Sequence, residues 1–387
     1  MVIGRGAKLD STAFLRWLDT ATTENQLHAR QRIIHFENPA EYQRFALALS
    51  ESVKSSPSLA TVKPMPLIQA VSCRISDAEP LPDCRSIWME EDCPVNVHST
   101  VKKHAQPGGG IPWGVQQVKA PSAWSRTTGH RIKIGVIDTG VDFNHPDLRN
   151  SLNRGINLLN RSELPHDDNG HGTHIAGTIA AANQPKGMIG VAPRATICPV
   201  KAFDQNGSAY VSDIILGIDW CVRNRIHIIN MSFGMKSRSK SLLNAVTNAY
   251  NAGVIIVASS GNDGRRKAID YPARYPQTIS VGATNKLRRI ALFSNRGSHI
   301  DIYAPGDKII SAWLRGKYNE MSGTSMATSH VSGAIALLLA KNPGLTPYEI
   351  KAILKRSMQP LRGSKTPRST GELDIMKMLK AADNEAR

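Results

Sequence analysis

From residue 131 onward the chain alternates short apolar runs with longer stretches of helical spacing. This alternation restricts the fold more than any other feature. RIKIGVID (131–138), ATICPVKAF (195–203), IHIINMSF (226–233), VIIVASSG (254–261), QTISVGAT (277–284) and IDIYAPG (300–306) read as strands. HGTHIAGTIAA (171–181), VSDIILGIDWCVRNR (211–225), SLLNAVTNAYNAG (241–253) and the run from Met326 to Ala340 read as helices. Apolar strands separated by helices predict a parallel sheet covered on both faces. Such sheets place their chemistry in the loops at the carboxyl ends of the strands.

The first hundred residues follow another pattern. RQRIIHFE (31–38) predicts a strand, PAEYQRFALALSESV (39–53) a helix, and ATVKPMPLIQAVSCRI (60–75) two strands broken near Pro64 and Pro66. SDAEPLPDC (76–84) predicts a short helix or turn, and RSIWMEED (85–92) a last strand. The order β-α-β-β-α-β matches a ferredoxin-like α+β unit. Residues 1–30 form an extension with one helix, FLRWLDTA. STVKKHAQPGGGIPWG (99–114), with three glycines behind a proline, predicts an exposed, flexible linker. No internal repeat or low-complexity tract is present.

With 387 residues, 41% hydrophobic and 20% charged, the chain is long enough for two globular domains. No window of about eighteen apolar residues predicts a membrane span. The N-terminus lacks the apolar core and small-residue cleavage site of a signal peptide, which predicts a cytoplasmic protein, with export by a non-standard route as the alternative. Cys73, Cys84, Cys93, Cys198 and Cys221 are odd in number and lack a CxxC spacing, so reduced thiols are expected. The net charge of +17 is spread in short runs without interleaved aromatics, which favours a solvated basic surface over a specific nucleic-acid interface.

Three segments place a reactive side chain at the end of a regular element. Asp138 closes the strand in VIDTGVDFNHPDL (136–148), where a lone aspartate also reads as a helix cap. His171 opens a helix in DDNGHGTHIAGT (167–178); with His174 it also suggests metal ligands, although the glutamate of a zinc helix is missing. Ser325 lies at a helix start in GTSMA (323–327), beside free N–H groups, where it also reads as a cap. Together they supply what an acyl-transfer site needs: a hydroxyl, an imidazole to take its proton, and a carboxylate to orient the imidazole. Asn262, after the strand in VASSGND (257–263), adds an amide for a developing oxyanion.

VIDTGVD, NGHGTH, SSGND and GTSMA, in that order, resemble the active-site motifs of subtilisin-like serine proteases, over about residues 110–384. The resemblance implies a three-layer α/β fold with a mostly parallel sheet between helices. It also implies a serine endopeptidase with Asp138 orienting, His171 as base and acid, Ser325 as nucleophile, and Asn262 with the Ser325 N–H as oxyanion donors. RSIWMEEDCPVNVHS is similar to the end of the inhibitory propeptide that precedes many such enzymes. This divides the chain into an extension (1–30), a ferredoxin-like inhibitory propeptide (31–98), a linker (99–110) and a catalytic domain (111–387), with self-cleavage within about His98–Gln106. The implied partners are protein or peptide substrates and the chain's own propeptide as intramolecular inhibitor, on a monomer.

By the same resemblance, substrate pairs along Gly207-Ser208-Ala209 and Ser232-Phe233-Gly234, and the P1 pocket is walled by Ser232–Gly234 and by Ser259, Ser260 and Gly261. Asp270, before Tyr271-Pro272, replaces a small residue at the pocket floor and suggests Lys or Arg at P1; turned outward, or paired with Arg265 or Arg266, it would not. Structural calcium is implied at Asp147 with the loop residues Ala182, Gln184, Lys186 and Met188, although Gln184 and Lys186 depart from the pattern. A catalytically dead, peptide-binding homologue would lack a triad member, and none is missing. Short loops and no added binding domain favour general turnover over one dedicated cleavage.

Overall fold

A computed structural model describes residues 9–22, 29–76, 80–98, 101–105, 110–182, 187–363 and 370–385. It divides into two compact units. One comprises Met1–Pro94, Tyr210–Asp219 and Ser239–Asn248; the other comprises Val95–Ala209, Trp220–Arg238 and Ala249–Arg387.

The described elements of the N-terminal region are α1 (Ser11–Ala21), β1 (Ala29–Phe36), α2 (Pro39–Ser52), β2 (Lys63–Met65), β3 (Ala70–Ser76), β4 (Ile87–Glu91), β5 (Pro94–Val97) and β6 (Val101–Ala105). The first four strands form an antiparallel sheet in the order β2-β3-β1-β4. Residues 80–86 contain no helix, and 77–79 lie outside the described residues. The role of α1, opaque in the sequence, is packing: the Phe14 ring lies 5.7 Å from Phe36 and 5.3 Å from Phe45, and Leu15, Leu18 and Ala21 join the same core.

After these come α3 (Trp113–Gln117), α4 (Ala120–Ala123), β7 (Lys133–Asp138), β8 (Ile156–Asn157), α5 (His171–Ala180), β9 (Thr196–Lys201), β10 (Ser208–Tyr210), α6 (Val211–Arg223), β11 (Ile228–Met231), β12 (Phe233–Gly234), α7 (Lys240–Asn251) and β13 (Ile255–Ser259). The chain continues with β14 (Ile279–Thr284), β15 (Ile302–Pro305), β16 (Ile309–Trp313), β17 (Lys317–Ser322), α8 (Thr324–Lys341), α9 (Pro347–Ser357), β18 (Gln359–Pro360), β19 (Gly371–Glu372) and α10 (Ile375–Glu385). Among the described residues nine strands form one sheet, ordered β18-β19-β15-β14-β13-β11-β7-β9-β8 and parallel except at the β18–β19 edge.

Alternate residues of β7 show how both faces are covered. Ile134 and Val136 enter the core shared with α5 and α8, whereas Gly135 lies against Cys221 at the end of α6. Buried residues run continuously from Thr324 to Leu339 of α8, which explains its apolar character on every side.

The expected linker is partly ordered. Residues 101–105 form β6, antiparallel to β17 from Ser322 to Tyr318, while residues 99–100 and 106–109 lie outside the described set. The edge of β17 offers backbone groups that an extended segment can pair with whatever its side chains, so composition gave no signal for this strand. The β16–β17 hairpin and the helices α9 and α10 were also not read from the sequence.

Within the first unit, acidic side chains meet helix starts. Glu90 Oε1 accepts from the Lys240 N–H at 3.0 Å; its Oε2 accepts from the Ser241 N–H at 2.9 Å and the Ser241 hydroxyl at 2.6 Å. Asp92 Oδ1 accepts from the Ser212 N–H at 2.9 Å. Negative charge placed at an N-terminus satisfies donors that the helix itself leaves open.

Candidate active site

Asp138 ends β7 and is fully buried. The Thr139 N–H donates to its Oδ1 at 2.8 Å. His171 Nδ1 lies 2.7 Å from Oδ1 and 2.9 Å from Oδ2. An acceptor-only carboxylate there keeps the proton on Nδ1 and leaves Nε2 as the open acceptor of a neutral ring.

His171 begins α5 in a turn held by Asp167, which the sequence reading passed over. Asp167 Oδ1 accepts from the Thr139 hydroxyl at 2.8 Å and from the Gly170 and Asn169 N–H groups at 2.9 and 3.0 Å. Its Oδ2 accepts from the Thr173 N–H at 2.9 Å and hydroxyl at 2.6 Å. One carboxylate therefore ties the start of α5 to the residue after Asp138. An aspartate just ahead of a helix was the available signal. His174 Nε2 lies 3.0 Å from the Ile309 carbonyl and 3.2 Å from that of Asn319, joining α5 to the β16–β17 hairpin. Burial pushes its pKa down to about 3.

Ser325 is the second residue of α8. Its hydroxyl lies 2.6 Å from the His98 carbonyl oxygen and 2.8 Å from that of Ser232. His171 Nε2 is buried and has no hydrogen-bond partner among the described residues. The structure thus joins Asp138 to His171 but does not form the Ser325–His171 hydrogen bond that the sequence reading expects. A hydroxyl carries one proton, and here two carbonyls compete for it.

Asn262 Oδ1 accepts from the Thr324 N–H and hydroxyl, both at 2.9 Å, which fixes the amide orientation. Its Nδ2 is buried without a partner among the described residues. A Cβ on Gly323 would lie 2.6 Å from the His98 carbonyl oxygen and 3.2 Å from Asn262 Nδ2, so that oxygen and this donor border one small space.

The residues before His98 lie between the two expected substrate edges. The Val97 N–H donates to the Gly207 carbonyl and the His98 N–H to that of Ser232, both at 3.1 Å. Val97 and Asn96 pair antiparallel with Phe233 and Gly234, and the Ser208 hydroxyl donates to Asn96 Oδ1 at 2.8 Å. Ala209 is buried in β10.

The His98 ring enters the expected pocket. Its Nδ1 lies 2.8 Å from Ser259 Oγ and its Nε2 3.0 Å from Asp270 Oδ2. A Cβ on Gly234 would come within 2.7 Å of that Nε2. Ser260 holds Asp270 through its carbonyl, which accepts the Asp270 N–H at 3.1 Å, and the Gly261 N–H donates to Thr324 Oγ1 at 3.2 Å. Asp270 neither turns outward nor pairs with Arg265 or Arg266. Its partners are His98 and Lys236, whose Nζ lies 2.8 and 3.0 Å from Oδ1 and Oδ2 and also pairs with Asp263. Burial works against the Lys236 charge, but the hydrogen bonds to the two carboxylates outweigh it and raise its pKa.

Of the expected calcium ligands, only Asp147, Ala182 and Met188 fall among the described residues. Gln184 and Lys186 lie outside the described residues. Asp147 is buried, and its Oδ2 already accepts from the Met188 N–H at 2.9 Å and the Tyr318 hydroxyl at 2.7 Å, while the Ala182 N–H donates to its carbonyl. Among the described residues no group of three or more His, Cys, Asp or Glu side chains is arranged to hold a metal. Asp147, the one carboxylate of the expected set, is thus already engaged by two donors among the described residues.

Residues 129–372 match the family model described as the subtilase family, and the chain belongs to that family. It is 43% identical over 246 residues to subtilisin E of Bacillus subtilis (strain 168), covering 62% of this chain and 64% of the relative, a little under two thirds of its length. It is 42% identical over 246 residues to subtilisin of Bacillus pumilus, covering 62% of this chain and 89% of the relative. Over 248 residues it is 43% identical to subtilisin Savinase of Lederbergia lenta, covering 64% and 91%. The expectation of a cytoplasmic protein is overturned by these matches, because subtilisins are secreted enzymes. The features of the N-terminus on which it rested do not identify a compartment. Among the described residues no helix is long and apolar enough to cross a membrane.

Proposed function

We propose that this chain is a serine endopeptidase that cuts itself after His98 and is held inactive by its own N-terminal region until then. One observation carries the reading: residues 95–98 lie along the cleft as a bound strand would, with the His98 carbonyl oxygen 2.6 Å from the Ser325 hydroxyl.

In this mechanism the Ser325 side chain rotates so that its O–H meets His171 Nε2, the buried acceptor now without a partner. His171 takes the proton as Oγ attacks the His98 carbonyl carbon, and Asp138 holds the imidazole in place and stabilises its cation. The oxygen of the tetrahedral intermediate turns to Asn262 Nδ2 and the Ser325 N–H, at the positive end of α8. His171 then returns the proton to the leaving amine, and water releases the acyl group by the reverse sequence. Calcium has no step in this chemistry.

The substrates on this reading are proteins or peptides in extended form, the inhibitor is the chain's own propeptide, and the working form is a monomer without a specific nucleic-acid partner. The suggestion of Lys or Arg at P1 rests on Asp270 alone, and Lys236 already partners that carboxylate. Incubating the purified chain and reading its new N-terminus by mass spectrometry tests the proposal. A start at Ser99, absent in Ser325→Ala, supports it; a chain that stays intact, or is cut equally in Ser325→Ala, refutes it.

A further inference from the structure

Pockets that receive a substrate side chain read its length and its hydrogen-bonding pattern. This one meets the His98 ring at two points. Ser259 Oγ reaches Nδ1 at 2.8 Å and Asp270 Oδ2 reaches Nε2 at 3.0 Å. Asp270 can only accept, so Nε2 carries a proton. Ser259 can serve either state of the other nitrogen. Its hydroxyl can donate to a bare Nδ1, or accept from a protonated one and turn towards the Phe233 carbonyl, 3.4 Å away. Both partners are buried, Ser259 completely and Asp270 with 3% of its surface exposed. A P1 side chain that reaches neither forgoes the two hydrogen bonds that the imidazole makes here.

The pocket also limits reach. Gly234 forms one wall, with no room for a Cβ beside the imidazole. Lys236 occupies the Asp270 carboxylate alongside Nε2. The charges of Lys and Arg lie further from the main chain than Nε2 does, so in this pose they are carried past Asp270, whose carboxylate Lys236 already shares. Asp270 is the carboxylate that meets the ring, and Lys236 pairs with it and with Asp263. The two hydrogen bonds therefore favour a side chain with polar atoms at these positions over an apolar one.

We infer that the pocket selects histidine at P1, with Ser259 and Asp270 reading the two ring nitrogens and Lys236 turning the acidic floor away from Lys and Arg. This rests on the endopeptidase reading above and gives it a substrate class, extended peptides with histidine before the cut bond. The same preference makes His98 a built-in first substrate.

The test uses peptides with the sequence Pro-Val-Asn-Val-X ahead of a chromogenic amide, with X as His, Lys, Arg, Phe or Ala, and the full chain after self-processing. The histidine peptide is cut with a kcat/KM at least about tenfold above the others. Asp270→Asn lowers the His-to-Ala ratio by about tenfold, and Lys236→Ala raises the Arg-to-His ratio by a similar factor. As a second readout that leaves the pocket intact, His98→Phe and His98→Arg slow self-cleavage of the full chain by about the same factor. Arg or Phe peptides cut as fast as the histidine peptide, or a His-to-Ala ratio unmoved by Asp270→Asn, overturn this inference alone. Absence of any cleavage, including self-processing, overturns the endopeptidase reading and this inference with it.

Discussion

Gly323→Ala tests the geometry of the proposed carbonyl site with one added methyl group. Gly323 has φ 163°, an extended value that alanine adopts, so the backbone carries no penalty. The new Cβ would stand 2.6 Å from the His98 oxygen, which is short of an ordinary carbon–oxygen contact of about 3.3 Å by roughly 0.7 Å. Its other neighbours, Asn262 Nδ2 at 3.2 Å and Met326 Sδ at 3.5 Å, need move little. The carbonyl must therefore leave its seat beside Ser325 and Asn262. A misplacement of this size near reacting atoms slows a reaction on the order of a hundredfold. Stability of the intact chain should fall by about 1–3 kcal/mol, because the added methyl overpacks the seat of that carbonyl. The assay follows appearance of the Ser99 N-terminus with time and, separately, thermal unfolding in a Ser325→Ala background. Processing at the wild-type rate with an unchanged melting temperature would show that the carbonyl does not react in this seat and would refute the reasoning.

Four further predictions concern stability, measured in the Ser325→Ala background so that the chain stays intact. His35, with Nε2 2.7 Å from Ser241 Oγ and its ring stacked on Trp88, has its pKa lowered from 6.5 to about 4 by burial, so its stabilising share is present above pH 6.5 and lost as the pH falls towards 4. The wild-type loss of unfolding free energy between pH 7 and 4.5 should shrink by about 2 kcal/mol in His35→Gln; an equal loss in both chains refutes the assignment. Asp92, raised to about 6 by burial, acts with the opposite trend: its share is present below its unfolded value of 3.8 and lost as the pH rises through 6, so Asp92→Asn should steepen the fall on acidification. Glu90→Ala, which leaves the Lys240 and Ser241 N–H groups without their acceptor, should cost about 1–2 kcal/mol in chemical unfolding, and no change would show that water replaces it. Removing calcium with EGTA should move the melting temperature by less than about 2 °C, since Asp147 is already held by Met188 and Tyr318; a larger calcium-dependent rise would place an ion there.

The parallel sheet was readable because its strands are buried on both faces and therefore spell continuous apolar runs, as IIVAS does in β13. Asp138 and His171 were readable because each ends or begins such an element, where a polar residue in a glycine-framed turn stands out. Lys236 gave no comparable signal, and Asp167 only the weak one of an aspartate ahead of a helix. Lys236 is surface-like by type, and its role depends on Asp270, 34 positions later, folding against it. Asp167 acts through five local donors that only the folded turn assembles. β6 was unreadable for a different reason, since its pairing is dictated by the edge of β17 and not by its own composition.

Two buried polar atoms, His171 Nε2 and Asn262 Nδ2, have no partner among the described residues, and the second borders the space of the His98 oxygen. Leaving such groups unpaired in a dry interior costs about 1–3 kcal/mol each. On the proposed mechanism both gain their partners together, when the hydroxyl turns to His171 and the carbonyl oxygen, taking on negative charge, turns to Asn262. The penalty therefore belongs to the ground state and disappears in the transition state, which is the difference that speeds a reaction. In the bound arrangement the Ser325 proton instead serves carbonyls of His98 and Ser232, so the strand ending at His98 inhibits by occupying the nucleophile's only donor as well as the cleft. Asn262→Ala should then slow self-processing far more than it weakens binding of the uncut segment, because the amide has no partner to lose until the oxygen becomes charged. Measured on the intact chains of Ser325→Ala and of Ser325→Ala with Asn262→Ala, hydrogen-exchange protection of the Val97 and His98 amides should stay within about threefold. A loss of protection that matches the loss of rate would mean that Nδ2 already bonds the resting carbonyl.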